Sequence, residues 1–177
     1  STARFDFSVG WGQPNPPPSP QHVRWGEFDR DGYVDYAFCH FNGRLAWHAI
    51  QNFSATPGTH EVASDAGDCM DLFANDLDGD ADLDLVVVDR TTTDIIWYAN
   101  DGSGNFGAKQ LLLNLVDIPN RVLFADLDLD TRPDLAVSED NVGISVARNL
   151  GGGTFSALLQ IESDPGFFAN QLTAGDV

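Results

Sequence analysis

The chain is 177 residues long and sets 27 Asp and Glu against 9 Lys and Arg, a net charge of −18. That length suits one domain or a piece of a larger one, and 42% hydrophobic residues make it too apolar for a disordered acidic tail. No apolar run approaches the ~20 residues that span a bilayer, and this much acid repels phosphate backbones and anionic lipid. Nucleic acid and insertion into a membrane are thus excluded as expectations for this segment, and cations are what the chain should attract.

In chain order, Phe5 to Trp11 reads as a strand, and the run from Pro14 to Pro20 as an extended connector that cannot pair inside a sheet. An apolar stretch, Val23 to Glu27, then enters an acidic loop and leaves it through the β-forming run Tyr36-Ala37-Phe38. Arg44-Leu45-Ala46-Trp47-His48 follows. The same plan returns with Leu72 to Asp76, Leu85-Val86-Val87-Val88, Asp94-Ile95-Ile96-Trp97-Tyr98 and Gln110-Leu111-Leu112-Leu113. It returns again with Val122 to Asp126, Leu135-Ala136-Val137, Gly143 to Ala147 and Ala157 to Ile161. These runs are too short for helices and are punctuated by glycine.

The first acids of the loops, Glu27, Asp76, Asp126 and Asp176, stand 49, 50 and 50 residues apart. So even a period marks an internal repeat. Four strands per ~50 residues is the plan of a β-propeller blade, so the expected fold is all-β, built of four-stranded antiparallel blades. The expected divisions are residues 1–22 (an outer strand of a preceding blade and the connector), 23–71, 72–121 and 122–171 (three blades), and 172–177 (the start of another). Leu85 to Val88 lacks polar alternation, as a strand covered on both faces would. Three blades cannot close a ring of about four to eight, and Asp176 begins a loop that is cut off. The expectation is a segment of a longer protein, or one that a partner completes.

Each complete loop places acids at positions 1, 3, 5 and 9. Alternate residues of a tight loop can aim carboxylates at one centre, and Ca²⁺ takes six to eight oxygens at about 2.3–2.6 Å. The candidate ligand sets are Glu27, Asp29, Asp31 and Asp35 with the Tyr33 carbonyl; Asp76, Asp78, Asp80 and Asp84 with the Asp82 carbonyl; and Asp126, Asp128, Asp130 and Asp134 with the Arg132 carbonyl. All-oxygen sets favour Ca²⁺ over zinc. An EF-hand would need Glu at position 12, where Phe38, Val87 and Val137 stand. The competing account, solvated Asx turns, leaves four acids to repel one another in each loop. Leu129 and Thr131 occupy places in the third loop where turn glycines are expected.

The loop pattern, the period and Asn105-Phe106-Gly107-Ala108 resemble the FG-GAP/VCBS repeats of integrin α-subunit propellers and many secreted proteins. The resemblance covers roughly residues 23–177 by the repeat criterion. It implies calcium-dependent blades, commonly in rings of seven, in extracellular, cell-surface or organelle-lumenal adhesion modules, some of which bind glycans or accompany catalytic domains. The third repeat departs from it at Phe155-Ser156, and the first offers only Pro57-Gly58.

Other chemistry is weaker. Gly102-Ser103-Gly104-Asn105-Phe106-Gly107 matches a dinucleotide fingerprint in letters, but its glycines join two strands instead of opening a helix. His22, His40, His48 and His60 lack metal spacing, no GxSxG elbow exists, and the clustered acids read better as ligands than as a glycosidase pair. Trp47 and Trp97, one period apart, are expected to pack between blades. Cys39 and Cys69 fit one bridge of a secreted protein or two buried thiols, and the sequence leaves both open. Asn52-Phe53-Ser54 is a glycosylation sequon that counts only in a secretory lumen. The expected function is a non-catalytic, calcium-binding interaction, adhesion or structural module for a protein partner or further blades. The alternative is a glycan-binding propeller or the accessory propeller of a secreted hydrolase.

Overall fold

The computed structural model describes residues 20–51, 54–139, 141–163 and 172. Asn52, Asp176 and the strand expected at Phe5 to Trp11 lie outside them. Short apolar runs separated by glycine and acid turns can satisfy their backbone only by pairing with the next run, and that is what they do. The first sheet is an antiparallel meander of β1 (His22–Gly26), β2 (Asp35–Cys39), β3 (Leu45–Gln51) and β4 (Ser54–Ala63). The second repeats it with β5 (Cys69–Asn75), β6 (Asp84–Asp89), β7 (Asp94–Tyr98) and β8 (Gln110–Asn114). The third uses β9 (Pro119–Ala125), β10 (Asp134–Glu139), β11 (Gly143–Ala147) and β14 (Leu159–Glu162). Between its last two strands sits a two-stranded turn of β12 (Asn149–Gly151) and β13 (Thr154–Phe155). Among the described residues there is no helix.

Side-chain alternation decides how the sheets stack. The row Leu72, Val87 and Ile96 of the second sheet meets Ala37, Cys39, Leu45 and Trp47 of the first. The opposite row, Val86 and Trp97, with Phe73 beside them, meets Leu135, Val137, Val122 and Phe124 of the third. Every residue of β6 is consequently buried, as the unalternating Val run requires. This face-to-face stacking of four-stranded meanders is the blade arrangement of a β-propeller.

Three devices fix the blade interfaces. Trp47 donates its indole N–H to the Gly104 carbonyl of the next blade at 3.1 Å and stacks on His60 at 4.3 Å. Gly104 takes φ +73°, and a Cβ there would fall 2.3 Å from the Trp47 ring; Gly153 stands over Trp97 in the same way at 2.1 Å. Both tryptophans therefore need a glycine turn in the following blade. Arg24 reaches across to Asp71 at 2.7 Å with its guanidinium 5.3 Å from the Phe73 ring. Finally, Cys39 of β2 and Cys69 of β5 are joined as a disulfide, so the first two blades are covalently linked. This resolves the alternative that the sequence left open.

The fourth strand of the first blade was not legible as an apolar run, yet Ser54–Ala63 pairs with β3 around two bulges. In the third blade, the Ser156 N–H bonds the Arg148 carbonyl at 2.8 Å, as the Gly107 N–H bonds that of Ala99 at 2.7 Å. The departure from Phe-Gly thus leaves the turn's backbone bonding intact.

Removal of the bridge by the double change Cys39→Ala and Cys69→Ala should cost about 3.6 kcal/mol, the loop-closure entropy of a ~30-residue loop. The urea midpoint reads it, and an unchanged midpoint would show that the bridge does not constrain the two blades.

Candidate metal loops

Each acidic loop joins the first strand of a blade to its second. All three follow one path: positions 4 and 6 are left-handed whatever residue stands there. Gly32 and Gly79 adopt φ of 86° and 89°, but so do Arg30 (59°), Ala81 (71°), Leu129 (65°) and Thr131 (75°). The third loop therefore keeps the geometry without its glycines and carries the strain, of order 1 kcal/mol per residue, that L side chains meet there.

What closes the loops is the acid at position 9. Asp35, Asp84 and Asp134 are all buried, and each is satisfied on both oxygens by backbone amides. Asp84 accepts from Leu77 N–H at 3.0 Å and from Asn100 N–H at 2.8 Å. Asp35 takes Phe28 at 3.1 Å and Ile50 at 3.0 Å, and Asp134 takes Leu127 at 3.1 Å and Asn149 at 2.8 Å. Each carboxylate ties position 2 of its own loop to a residue at or shortly past the end of the third strand.

Carboxylate oxygens from positions 1, 3 and 9 converge within 4.8 Å of one another in every loop: Glu27, Asp29 and Asp35; Asp76, Asp78 and Asp84; Asp126, Asp128 and Asp134. The position 5 acids are directed differently. Asp31, Asp80 and Asp130 each accept the position 7 N–H, of Tyr33 at 2.8 Å, Asp82 at 2.9 Å and Arg132 at 2.9 Å. Simple alternation had aimed them at the centre with the others. Asp82 is itself buried and paired with Arg30 of the first loop at 2.7 Å.

Four of the acids in the first two clusters resist ionisation. Burial pushes the Asp84 carboxyl up to about 6 against the pull of its two amide bonds, and burial likewise raises Asp35. Asp29 and Asp78 are raised as well, by burial first and by the neighbouring acids in addition. An all-oxygen set of this kind suits a hard divalent cation, and the first two loops fit one. In the third, Arg148 pairs with Asp128 and Arg132 with Asp130, so two guanidinium groups already offset part of its charge. Ala49 and Ala99 stand in the place of Arg148, which a reading of the loops alone had no reason to examine.

Sequence reasoning also passed over Asn100 and Asn149. Asn100 donates its side-chain amide to the Phe28 carbonyl of the preceding blade at 2.9 Å, and Asn149 to that of Leu77 at 3.0 Å. Their signal was present: Ile50, Asn100 and Asn149 stand at equivalent places near the end of each blade's third strand, 50 and 49 residues apart.

Stacked four-stranded meanders with acidic loops at one end of each sheet define a β-propeller repeat protein. Residues 76–137 match the FG-GAP-like repeat family, which the sequence resembles. A lectin of Agrocybe aegerita, described as specifically recognising non-reducing terminal N-acetylglucosamine, has a similar fold, with TM-score 0.64 at 21% identity over 81% of this chain and 39% of that one. The Photorhabdus luminescens Tc holotoxin pore is similar with TM-score 0.58 at 20% identity, over 88% of this chain and 8% of that one. The chain thus spans well under half of either relative, and the likeness is one of fold. No curated protein matches it in sequence.

In chelator, Asp84→Ala should destabilise the chain by about 2–4 kcal/mol, because two buried amides lose their acceptor. Asp78→Asn, which removes a crowded charge while its amide oxygen can still accept the Asp80 N–H held at 3.3 Å, should stay within about 0.5 kcal/mol. Urea denaturation of the two variants side by side checks the contrast.

Proposed function

We propose that the chain is a non-catalytic, calcium-stabilised propeller segment that serves as an interaction module, outside the cell or in a secretory lumen, for a protein partner or for further blades. The observation that carries this reading is the convergence of three carboxylates in every loop, one of them buried and pre-oriented by two backbone amides. Such clusters are costly when unneutralised, and a bound cation supplies the missing positive charge and draws the oxygens together. Glu27 and Asp29, or Asp76 and Asp78, would complete the shell around Asp35 or Asp84. The rigid loops then present the exposed residues at their tips, such as Tyr33 and Val34, in a fixed arrangement.

The disulfide between the first two blades supports an oxidising compartment. Two of the four acids in each loop are taken up by structure: those at position 9 hold backbone amides, and those at position 5 cap turns, which supports a structural over a catalytic use of the cluster. A glycan-binding segment is the second reading, favoured by the likeness of fold to the Agrocybe aegerita lectin. Binding on a glycan array that survives chelation and is lost when exposed aromatics such as Trp25 are replaced would favour it over the first.

Addition of Ca²⁺ at about a hundred times its Kd should raise the melting temperature by about 5–10 °C for each occupied loop, and EGTA should reverse this. No shift with either reagent would overturn the calcium reading. The third loop should bind most weakly, and Arg148→Ala should tighten it severalfold in a calorimetric titration by freeing Asp128. An unaltered third affinity would show that the guanidinium does not compete.

A further inference from the structure

The three loops are not independent, because one continuous series of hydrogen bonds runs through them. Asp35 holds the Phe28 N–H at 3.1 Å, and the Phe28 carbonyl accepts from the Asn100 side chain at 2.9 Å. The Asn100 backbone N–H is held by Asp84 at 2.8 Å, and Asp84 holds the Leu77 N–H at 3.0 Å. The Leu77 carbonyl accepts from Asn149 at 3.0 Å, Asn149 N–H is held by Asp134 at 2.8 Å, and Asp134 holds Leu127 at 3.1 Å. Each asparagine is buried and its amide is used fully. Asn100 also donates to the Leu83 carbonyl and accepts from Gly102 N–H, while Asn149 donates to Pro133 and accepts from Gly151.

The point at which the series enters each loop matters. Position 2 lies between the carboxylates at positions 1 and 3. The Phe28 carbonyl belongs to the peptide that carries the Asp29 N–H, so the Asn100 amide sets the plane from which the Asp29 side chain departs. The same asparagine hangs by its own N–H from Asp84, the buried acid of the next loop. A single residue is thus fixed by its side-chain amide to the backbone of one cluster and by its own N–H to a carboxylate of another, in surroundings of low dielectric where neither bond can be exchanged cheaply for water.

We propose that Asn100 and Asn149 are positioning residues that couple successive loops: ordering of one cluster by a divalent cation pre-orients the next across the blade interface, so the loops bind cooperatively. This rests on the calcium reading above and adds to it the claim of linkage. Ile50 stands in the equivalent place of the first blade, where its N–H bonds Asp35 at 3.0 Å but its side chain has no amide to pass the link further. The series therefore starts at the first blade. Arg30 of the first loop, paired with Asp82 of the second, is a parallel contact between the same two loops.

The test uses the full chain, Ca²⁺ as the probe, and the amide resonances of Gly32 and Gly79 as separate reports on the first and second loops. In the wild-type background, Asp29→Asn should weaken Ca²⁺ binding at the second loop by about 5-fold or more, and Asp78→Asn should weaken the first by the same factor, as linkage requires. In an Arg30→Ala background, which removes the parallel contact, adding Asn100→Ser should make both cross-effects vanish while each loop still binds. Asn149→Ser should leave them untouched and abolish the corresponding effect between the second and third loops. It supplies an independent comparison if Asn100→Ser fails to fold. Cross-effects that persist in the serine variants, or none in the wild type although Ca²⁺ binds, would overturn the coupling and leave the calcium reading standing. A wild-type chain whose loops show no response to millimolar Ca²⁺ would overturn both.

Discussion

A carboxylate placed in the interior of a sheet protein must find a donor for each oxygen, and this chain meets that demand three times with one solution. Asp35, Asp84 and Asp134 open the second strand of their blades, and each holds one amide from the preceding loop and one from near the end of the third strand. Loop path, strand register and the exit of the third strand are consequently set by the same pair of oxygens. The acid clusters, the left-handed loop residues and the asparagine links all depend on that anchor, because they are built on the backbone that it holds.

The stacking of the blades obeys a second constraint, the bulk of Trp47 and Trp97. Each is too large to be covered by its own sheet and is buried only because the next blade supplies a glycine turn at close range. Burial of a side chain this large contributes several kilocalories per mole, so the glycines of the third-to-fourth strand turns act as packing residues as much as turn formers. The first blade differs from the second in its outward row, where Trp25, Tyr36 and His48 form a run of ring contacts at 5.5 and 5.1 Å.

The period of the acids and the short β-forming runs were legible because charge and hydrophobicity both repeat every ~50 residues, and an all-β blade plan follows from them. The site was legible in part. Positions 1, 3 and 9 converge, but the position 5 acids turn onto their own backbone, a local competition that alternation alone does not register. Leu129 and Thr131 looked incompatible with the loop; the anchoring at Asp134 and Asp126 imposes the left-handed path on them regardless. Asn100 and Asn149 were hidden because an asparagine two residues before a glycine reads as ordinary turn chemistry, and their partners lie 72 residues away. Ser54–Ala63 was hidden because a strand on the rim of a blade, interrupted by proline and glycine, shows little periodicity.

The disulfide makes the two blade interfaces mechanically unlike. Between the first and second blades a covalent bond joins the end of the second strand of one sheet to the start of the first strand of the next, whereas the second and third are held, among the described residues, by side-chain packing and hydrogen bonds alone. A pulling force applied along the chain would accordingly separate the third blade first and leave the leading pair joined as one unit. In a protein that experiences tension through a bound partner, the weak point would lie near Asn114 to Pro119, and reduction of one bond would move it.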